Sequence, residues 1–300
     1  MTKRPPYLQP GDTIGLTCPA GYMPAERAQD CINTLHNWGY NVMVGKTLGS
    51  DSATYFSGTD EARADELQAM LDDDSISAIL CGRGGYGISR IIDKMDFSRF
   101  RKKPKWIIGF SDVTVLLQHV FVNYAIAGLH APMAGAFAVA ESPCVASIRE
   151  ALAGTKIRLE APVHTLNRRG EAVGELVGGN LTLLTHLIGT ASDVKTKGRI
   201  LFIEDVGELL YKIDRMMMQL KRSGKLDRLA ALIVGGFSDL SDTDRPYGKT
   251  VYEIIREAVA EYDYPVCFDF PVSHTDVNYA LKLGIGYKLK VGKNKVTLEE

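Results

Sequence analysis

Between residues 13 and 129, short apolar runs alternate with stretches of helical period, and this alternation restricts the chain to very few folds. Residues 13–17, 40–44, 76–80 and 106–110 have the length and β-branched content of buried strands, and 126–129 reads as a short fifth. Between them, Ala28, Cys31, Ile32, Leu35 and Trp38 mark a helix that stops at Gly39. Thr59 caps a helix running to Leu71, with Ala62, Leu67 and Met70 inward. Val113, Leu116, Leu117, Val120 and Phe121 recur at helical spacing as far as Tyr124. Alternation at this pitch implies βαβ crossovers and a parallel sheet, in which functional groups gather beyond the carboxyl ends of the strands.

Two stretches stand at such ends. Ser111-Asp112 follows the run Trp106-Ile107-Ile108-Gly109-Phe110 directly and precedes a helical pattern. A strand end that turns at once into a helix is a good position for a nucleophile, because the free N–H groups there favour negative charge. The same two residues also fit an ordinary N-cap. The window Gly109-Phe110-Ser111-Asp112-Val113 has the first glycine of the nucleophile-elbow pattern and lacks the second. The other stretch, Gly82-Arg83-Gly84-Gly85-Tyr86-Gly87, follows the third strand and fits G-x-G-x-x-G before a helix. A dinucleotide loop should follow the first strand, with an acid about twenty residues on; Lys105-Trp106-Ile107 stands there instead. A structural turn and an oxyanion cradle made of main-chain amides remain as the other readings.

The second half has its own pattern. From 131 to 171 periodicity weakens and Pro132, Pro143 and Pro162 punctuate the chain. The reading is a nucleophile-bearing domain at 1–150, a linker at about 136–172, and a second domain at 173–300. Val177-Gly178-Gly179-Asn180 opens the latter. A strand at 199–203 ends in Glu204-Asp205, one at 229–234 enters Gly235-Gly236, and one at 266–268 leads to Pro271-Val272-Ser273-His274. Leu209, Leu210, Ile213, Met216, Met217 and Leu220 line one helix, and Val251, Ile254, Ile255 and Val259 another. Residues 281–298 read as a hairpin turning at Gly292-Lys293-Asn294.

Composition narrows the function. Lys and Arg number 35 against 36 Asp and Glu, for a net charge of −1, which gives no support to nucleic-acid or anionic-membrane binding. A hydrophobic share of 45% with 24% charged residues suits a globular protein with an ample core. The basic residues Lys3 and Arg4 have no apolar run behind them and no segment reaches a membrane span, so the expected location is the cytoplasm. Cys18, Cys31, Cys81, Cys144 and Cys267 show no paired spacing, so neither a disulfide framework nor structural zinc is expected. Buried thiols are the default, with Cys81, beside the glycine loop, the candidate for reactivity.

A serine nucleophile needs a base, and the base needs a carboxylate to fix its tautomer. Of the six histidines, His36, His119 and His186 fall in helical patterns and His164 in the weak linker. His130 follows the fifth strand. His274 stands in the polar loop Ser273-His274-Thr275-Asp276-Val277-Asn278 past a strand, and loop logic favours it over His130. Glu204, Asp205 and Glu208 are the candidate acids; strand alternation lets at most one of the first two face a site.

The glycine loop, Gly109-Phe110-Ser111-Asp112, Leu201-Phe202-Ile203-Glu204-Asp205 and Pro271-Val272-Ser273-His274, in this order over nearly the whole chain, resemble the LD-carboxypeptidases of serine peptidase family S66, which include the microcin C self-immunity peptidases. The resemblance implies an α/β protein: an N-terminal parallel-sheet domain like class I glutamine amidotransferases and a smaller C-terminal α/β domain, assembled as a homodimer. It implies Ser111 as nucleophile, Glu204 as orienting acid and His274 as base, with the oxyanion held by the N–H of Asp112 and one from the Gly84-Gly85 region. Arg83 and Asn180 are further candidates for holding substrate. The implied activity is hydrolysis of the L,D bond of murein tetrapeptides, which releases D-alanine in cell-wall recycling, without metal or cofactor. An aminoacyl-nucleotide substrate of the microcin C type is the alternative. A nucleotide-binding oxidoreductase and a non-catalytic muropeptide-binding protein are the readings of other classes.

Overall fold

The computed structural model describes residues 2–138 and 142–300. Among the described residues the strands are β1 (Thr13–Thr17), β2 (Asn41–Val44), β3 (Ile76–Cys81), β4 (Trp106–Gly109), β5 (Gly128–His130), β6 (Arg158–Ala161), β7 (Gly170–Asn180), β8 (Ile200–Val206), β9 (Ala231–Ser238), β10 (Val266–Cys267), β11 (Leu281–Leu283), β12 (Gly286–Val291) and β13 (Val296–Glu299). The α-helices are α1 (Gln29–Asn37), α2 (Asp60–Asp72), α3 (Ser98–Lys102), α4 (Thr114–Tyr124), α5 (Pro143–Leu152), α6 (Leu181–His186), α7 (Leu210–Arg222) and α8 (Val251–Ala258). The chain divides into two compact units, Met1–Thr155 with Tyr279–Lys282, and Lys156–Asn278 with Leu283–Glu300. Of the linker expected at 136–172, residues 139–141 lie outside the described residues. No described helix is long and apolar enough to cross a membrane.

The first unit is built on a six-stranded sheet ordered β11-β5-β4-β3-β1-β2, with β1 to β5 mutually parallel. Its central strands are apolar throughout because helices cover both faces: Ile14, Leu16, Ile79, Leu80, Ile107 and Ile108 are all buried. Thr59 caps α2 as expected, its hydroxyl accepting from Ala62 N–H. The inward face of that helix differs from expectation. Ala62 is exposed and Arg63 is buried in its place with Leu67, Met70 and Leu71. The weakly patterned stretch hides structure too. Ser142 caps α5, and its apolar residues Val145, Ile148 and Leu152 are buried.

The second unit carries a seven-stranded mixed sheet, β10-β9-β8-β7-β12-β13-β6. The pivot is β7. Its first half pairs antiparallel with β12, and its second half, Leu176 to Asn180, pairs parallel with β8. The sequence reading places no strand here, because Gly170–Glu175 is half exposed and rich in glycine and glutamate. The terminal hairpin is β12 and β13, closed by Gly292 N–H donating to Lys295 C=O. Leu281–Leu283 does not belong to it, contrary to expectation; β11 is an edge strand of the first sheet.

Lys105, where a dinucleotide-binding chain would carry an acid, has a structural task. Its buried ammonium donates to Met70 C=O (2.9 Å) and Asp73 C=O (2.5 Å), closing the carboxyl end of α2. Lys105→Met keeps the stem and loses both bonds. It should lower unfolding free energy in urea by about 2 kcal/mol; an unchanged midpoint would contradict this role.

Candidate active site

In the first unit, β4 ends at Gly109 and the chain turns through a 3-10 turn, Ser111–Val113, into α4. Ser111 sits there at φ +60°, in the left-handed region that non-glycine residues rarely adopt. Its side chain is not a cap: neither the turn nor α4 has a side-chain cap bond. The N-cap reading of the sequence therefore fails. What remains is a half-buried hydroxyl on a strained strand-to-helix turn, the conformation of a nucleophile elbow.

The second glycine that the elbow pattern lacks comes from the neighbouring loop. A Cβ placed on Gly84 would stand 2.9 Å from Ser111 Cβ, 3.1 Å from its Oγ and 3.3 Å from Asp112 N, so only glycine lets the loop lie against the serine. Gly84 C=O accepts from Gly21 N–H at 3.0 Å. The planar trans peptide then turns the Gly85 N–H away from Gly21. The loop leads into the short 3-10 turns Ile88–Arg90 and Ile92–Lys94, where the sequence motif anticipates a helix. No α-helix N-terminus follows it, and a pyrophosphate would lack the dipole and amides that a dinucleotide site uses. Arg83 is exposed and donates to Tyr22 C=O at 2.7 Å. Asp112 is wholly buried; its carboxylate accepts Ile88 N–H at 2.9 Å, and burial pushes its carboxyl up to about 6. Cys81 is buried as well, and burial holds its thiol far above the range of a reactive thiolate.

In the second unit, the two acids on β8 take different main partners. Glu204, wholly buried, meets His274 with Oε2 2.5 Å from Nδ1. Asp205 serves the start of α6. It accepts from Asn180 Nδ2 at 2.8 Å, and from Thr182 N–H and hydroxyl at 2.9 Å each. Asn180 caps the same helix, its side-chain oxygen accepting Leu183 N–H at 3.1 Å. The same side chain thus caps α6 and braces Asp205. Glu208 pairs with Lys212. Burial raises the Glu204 carboxyl above its ordinary value, and the bond from His274 opposes that rise.

A bulge brings Glu204 and His274 together. Ile203 pairs with Val234 and Asp205 with Phe237, so Gly235 and Gly236 on β9 oppose the single residue Glu204. A Cβ on Gly235 would collide with Val272 C=O at 2.2 Å, and one on Gly236 with Ser273 Cβ at 2.5 Å. The two glycines let the segment before His274 cross β9 closely, tied by Gly236 N–H to Val272 C=O. The structure carries β9 through these glycines, where the sequence reading ends the strand at Val234; glycine inside a strand is an ordinary mark of a bulge. The rival His130 is wholly buried and packs on Phe110 with ring centroids 5.8 Å apart. The structure thus joins Ser111, Gly84 and Asp112 in the first unit, and Glu204 and His274 in the second.

Comparison with known proteins identifies the family. The LD-carboxypeptidase N-terminal domain family matches residues 14–131 and the C-terminal domain family residues 173–289. A Bacillus subtilis protein named as a probable murein peptide carboxypeptidase is 32% identical over 304 residues, covering 100% of this chain and 95% of its own. The murein tetrapeptide carboxypeptidase of Pseudomonas aeruginosa is 30% identical, over 95% of this chain and 96% of its own. The crystal structure of the muramoyltetrapeptide carboxypeptidase from Oxalobacter formigenes superposes with a TM-score of 0.85 at 27% identity, over 96% of this chain and 98% of that one. With matches spanning its whole length, the chain belongs to the LD-carboxypeptidase family and is a carboxypeptidase, a hydrolase of peptide bonds.

Proposed function

We propose that this enzyme is a serine LD-carboxypeptidase that removes terminal D-alanine from murein tetrapeptides during peptidoglycan recycling in the cytoplasm, acting as a homodimer. The observation that carries the reading is Ser111 at φ +60° with its side chain free of any capping role, beside a glycine that leaves room at its Oγ. The Glu204–His274 pair supplies the remaining chemistry. The names of the Pseudomonas and Bacillus relatives supply the substrate class.

In this mechanism Glu204 holds His274 by Nδ1, leaving Nε2 to take the Ser111 hydroxyl proton. Ser111 Oγ attacks the carbonyl carbon of the L,D bond. The N–H groups of Asp112 and of Gly85, or of Gly84, hold the oxyanion, a contribution of about 3 kcal/mol per donor. His274 returns the proton to the departing amine as the C–N bond breaks and D-alanine leaves. Water then attacks the acyl-enzyme and gives its proton to His274, which passes it to Ser111 Oγ as the ester C–O bond breaks and the shortened peptide leaves as its carboxylic acid. Arg83, an exposed cation in the same loop, is suited to the D-alanine carboxylate.

Ser111→Ala and His274→Ala should each lower kcat/KM for D-alanine release about ten-thousand-fold or more, with unchanged circular dichroism, and Glu204→Gln about thousandfold. A Ser111→Ala enzyme that works near the wild-type rate would refute the assignment. An aminoacyl-nucleotide conjugate offered in parallel decides between acyl donors; faster turnover of the conjugate would move the substrate and keep the triad.

Gly84→Ala tests the cradle separately. Its methyl group must displace Ser111 or the Asp112 amide, and kcat should fall about a hundredfold. Gly286→Ala, where nothing lies within 4 Å, should leave the rate unchanged. Equal rates for the two variants would show that the loop does not serve the reaction.

A further inference from the structure

The glycine loop is gripped at a point that the triad does not explain. The peptide unit joining Gly87 to Ile88 ends the loop. Its C=O accepts from Arg63 Nη1 at 3.2 Å, and its N–H donates to Asp112 Oδ2 at 2.9 Å. A buried cation and a buried anion therefore hold opposite poles of one peptide dipole. Arg63 also donates to Pro19 C=O at 2.6 Å and Gly58 C=O at 3.4 Å, and pairs with Asp60. Pro19 lies in the turn after β1 whose Gly21 N–H holds Gly84 C=O. Both ends of the loop thus lead back to one guanidinium, and Asp112 is the residue after the serine.

Resting on the reading of Ser111 as nucleophile, we propose that Asp112 and Arg63 are positioning residues: their side chains clamp the Gly87–Ile88 peptide and so keep the loop's amides in register with Ser111. The backbone N–H of Asp112 serves the oxyanion, whereas its carboxylate serves the loop. A buried carboxylate and a buried guanidinium are each costly to desolvate, so their burial is weak evidence of a role in stability.

Charge on Asp112 works against the fold. Arg63 from α2 and Cys81 from β3 face it together with the Gly87 and Ile88 amides. Its carboxyl, pushed up to about 6 by burial, stands above the unfolded value of about 3.9. The stability this group contributes is therefore present below about pH 4 and lost as pH rises through about 6, so at pH 7.5 ionisation destabilises the native state.

The test is Asp112→Asn, which keeps an acceptor for Ile88 N–H and removes the charge, with Asp112→Ala beside it, both at pH 7.5. Asn should lower kcat for D-alanine release about tenfold and Ala about a hundredfold, with KM within about threefold of wild type and Tm of the Asn variant not below it. If Asp112→Ala fails to fold, Asp112→Asn decides. A kcat within twofold of wild type, a loss confined to KM, or Tm and kcat falling together in Asp112→Asn would each overturn the proposal. Ser111→Ala runs in parallel: if it is inactive while Asp112→Asn keeps full kcat, only the clamp is wrong, and if it is active the nucleophile reading is wrong.

Discussion

A residue with a Cβ held at positive φ costs on the order of 1 kcal/mol, and it persists only where its surroundings leave no alternative. Ser111 is such a residue, and the first unit is arranged around it. The buried strand β4 delivers the chain, α4 carries it away, and the carboxyl ends of the neighbouring parallel strands supply the loops on either side. The glycine loop after β3 closes on the serine because Gly84 has no side chain, and it stays there because its carbonyls and amides are already engaged by Gly21, Arg63 and Asp112. Local strain, missing side chains and buried charge are three costs that all fall at this one corner, which is where a functional site is expected to break the rules of stability.

The second unit reaches its chemistry by another route. One extra residue in β9 opposite Glu204 breaks the ladder, and the two glycines at that point let the chain before His274 pass close by. The carboxylate that results is buried and meets its histidine at hydrogen-bond distance. Its neighbour Asp205 steadies the first turn of α6. Two adjacent acids therefore acquire two sets of partners at the bulged end of β8.

Much of this was legible in the residues. Thr13–Thr17 is recognisable as a strand because every position past the first is buried, and Thr59 as a cap because its hydroxyl has one ordinary use before a helical run. Loop logic favours His274 over His130, whereas strand logic leaves Glu204, Asp205 and Glu208 open and only the family resemblance picks out Glu204. Arg63 could not, since an arginine in a helix reads as solvated unless the carbonyls of Pro19, Gly58 and Gly87 converge on it, and that convergence is a property of three separate loops. The first half of β7 and the small edge strand Leu281–Leu283 were hidden for a similar reason: their stability lies in partners distant in sequence, not in their own pattern. At Ser111 the sequence leaves cap and nucleophile both open, and the structure removes the first, since no side-chain cap bond forms there and φ is positive.

The most direct measurement of the central claim is covalent labelling by a fluorophosphonate, followed by peptide mass mapping. Such a reagent phosphonylates a serine only when a base removes its proton and amides receive the developing charge. The account predicts one adduct, on Ser111, formed rapidly in the wild type and at least about a hundredfold more slowly in His274→Ala. An adduct on another residue, or a Ser111 adduct formed at the same rate in both proteins, would contradict it.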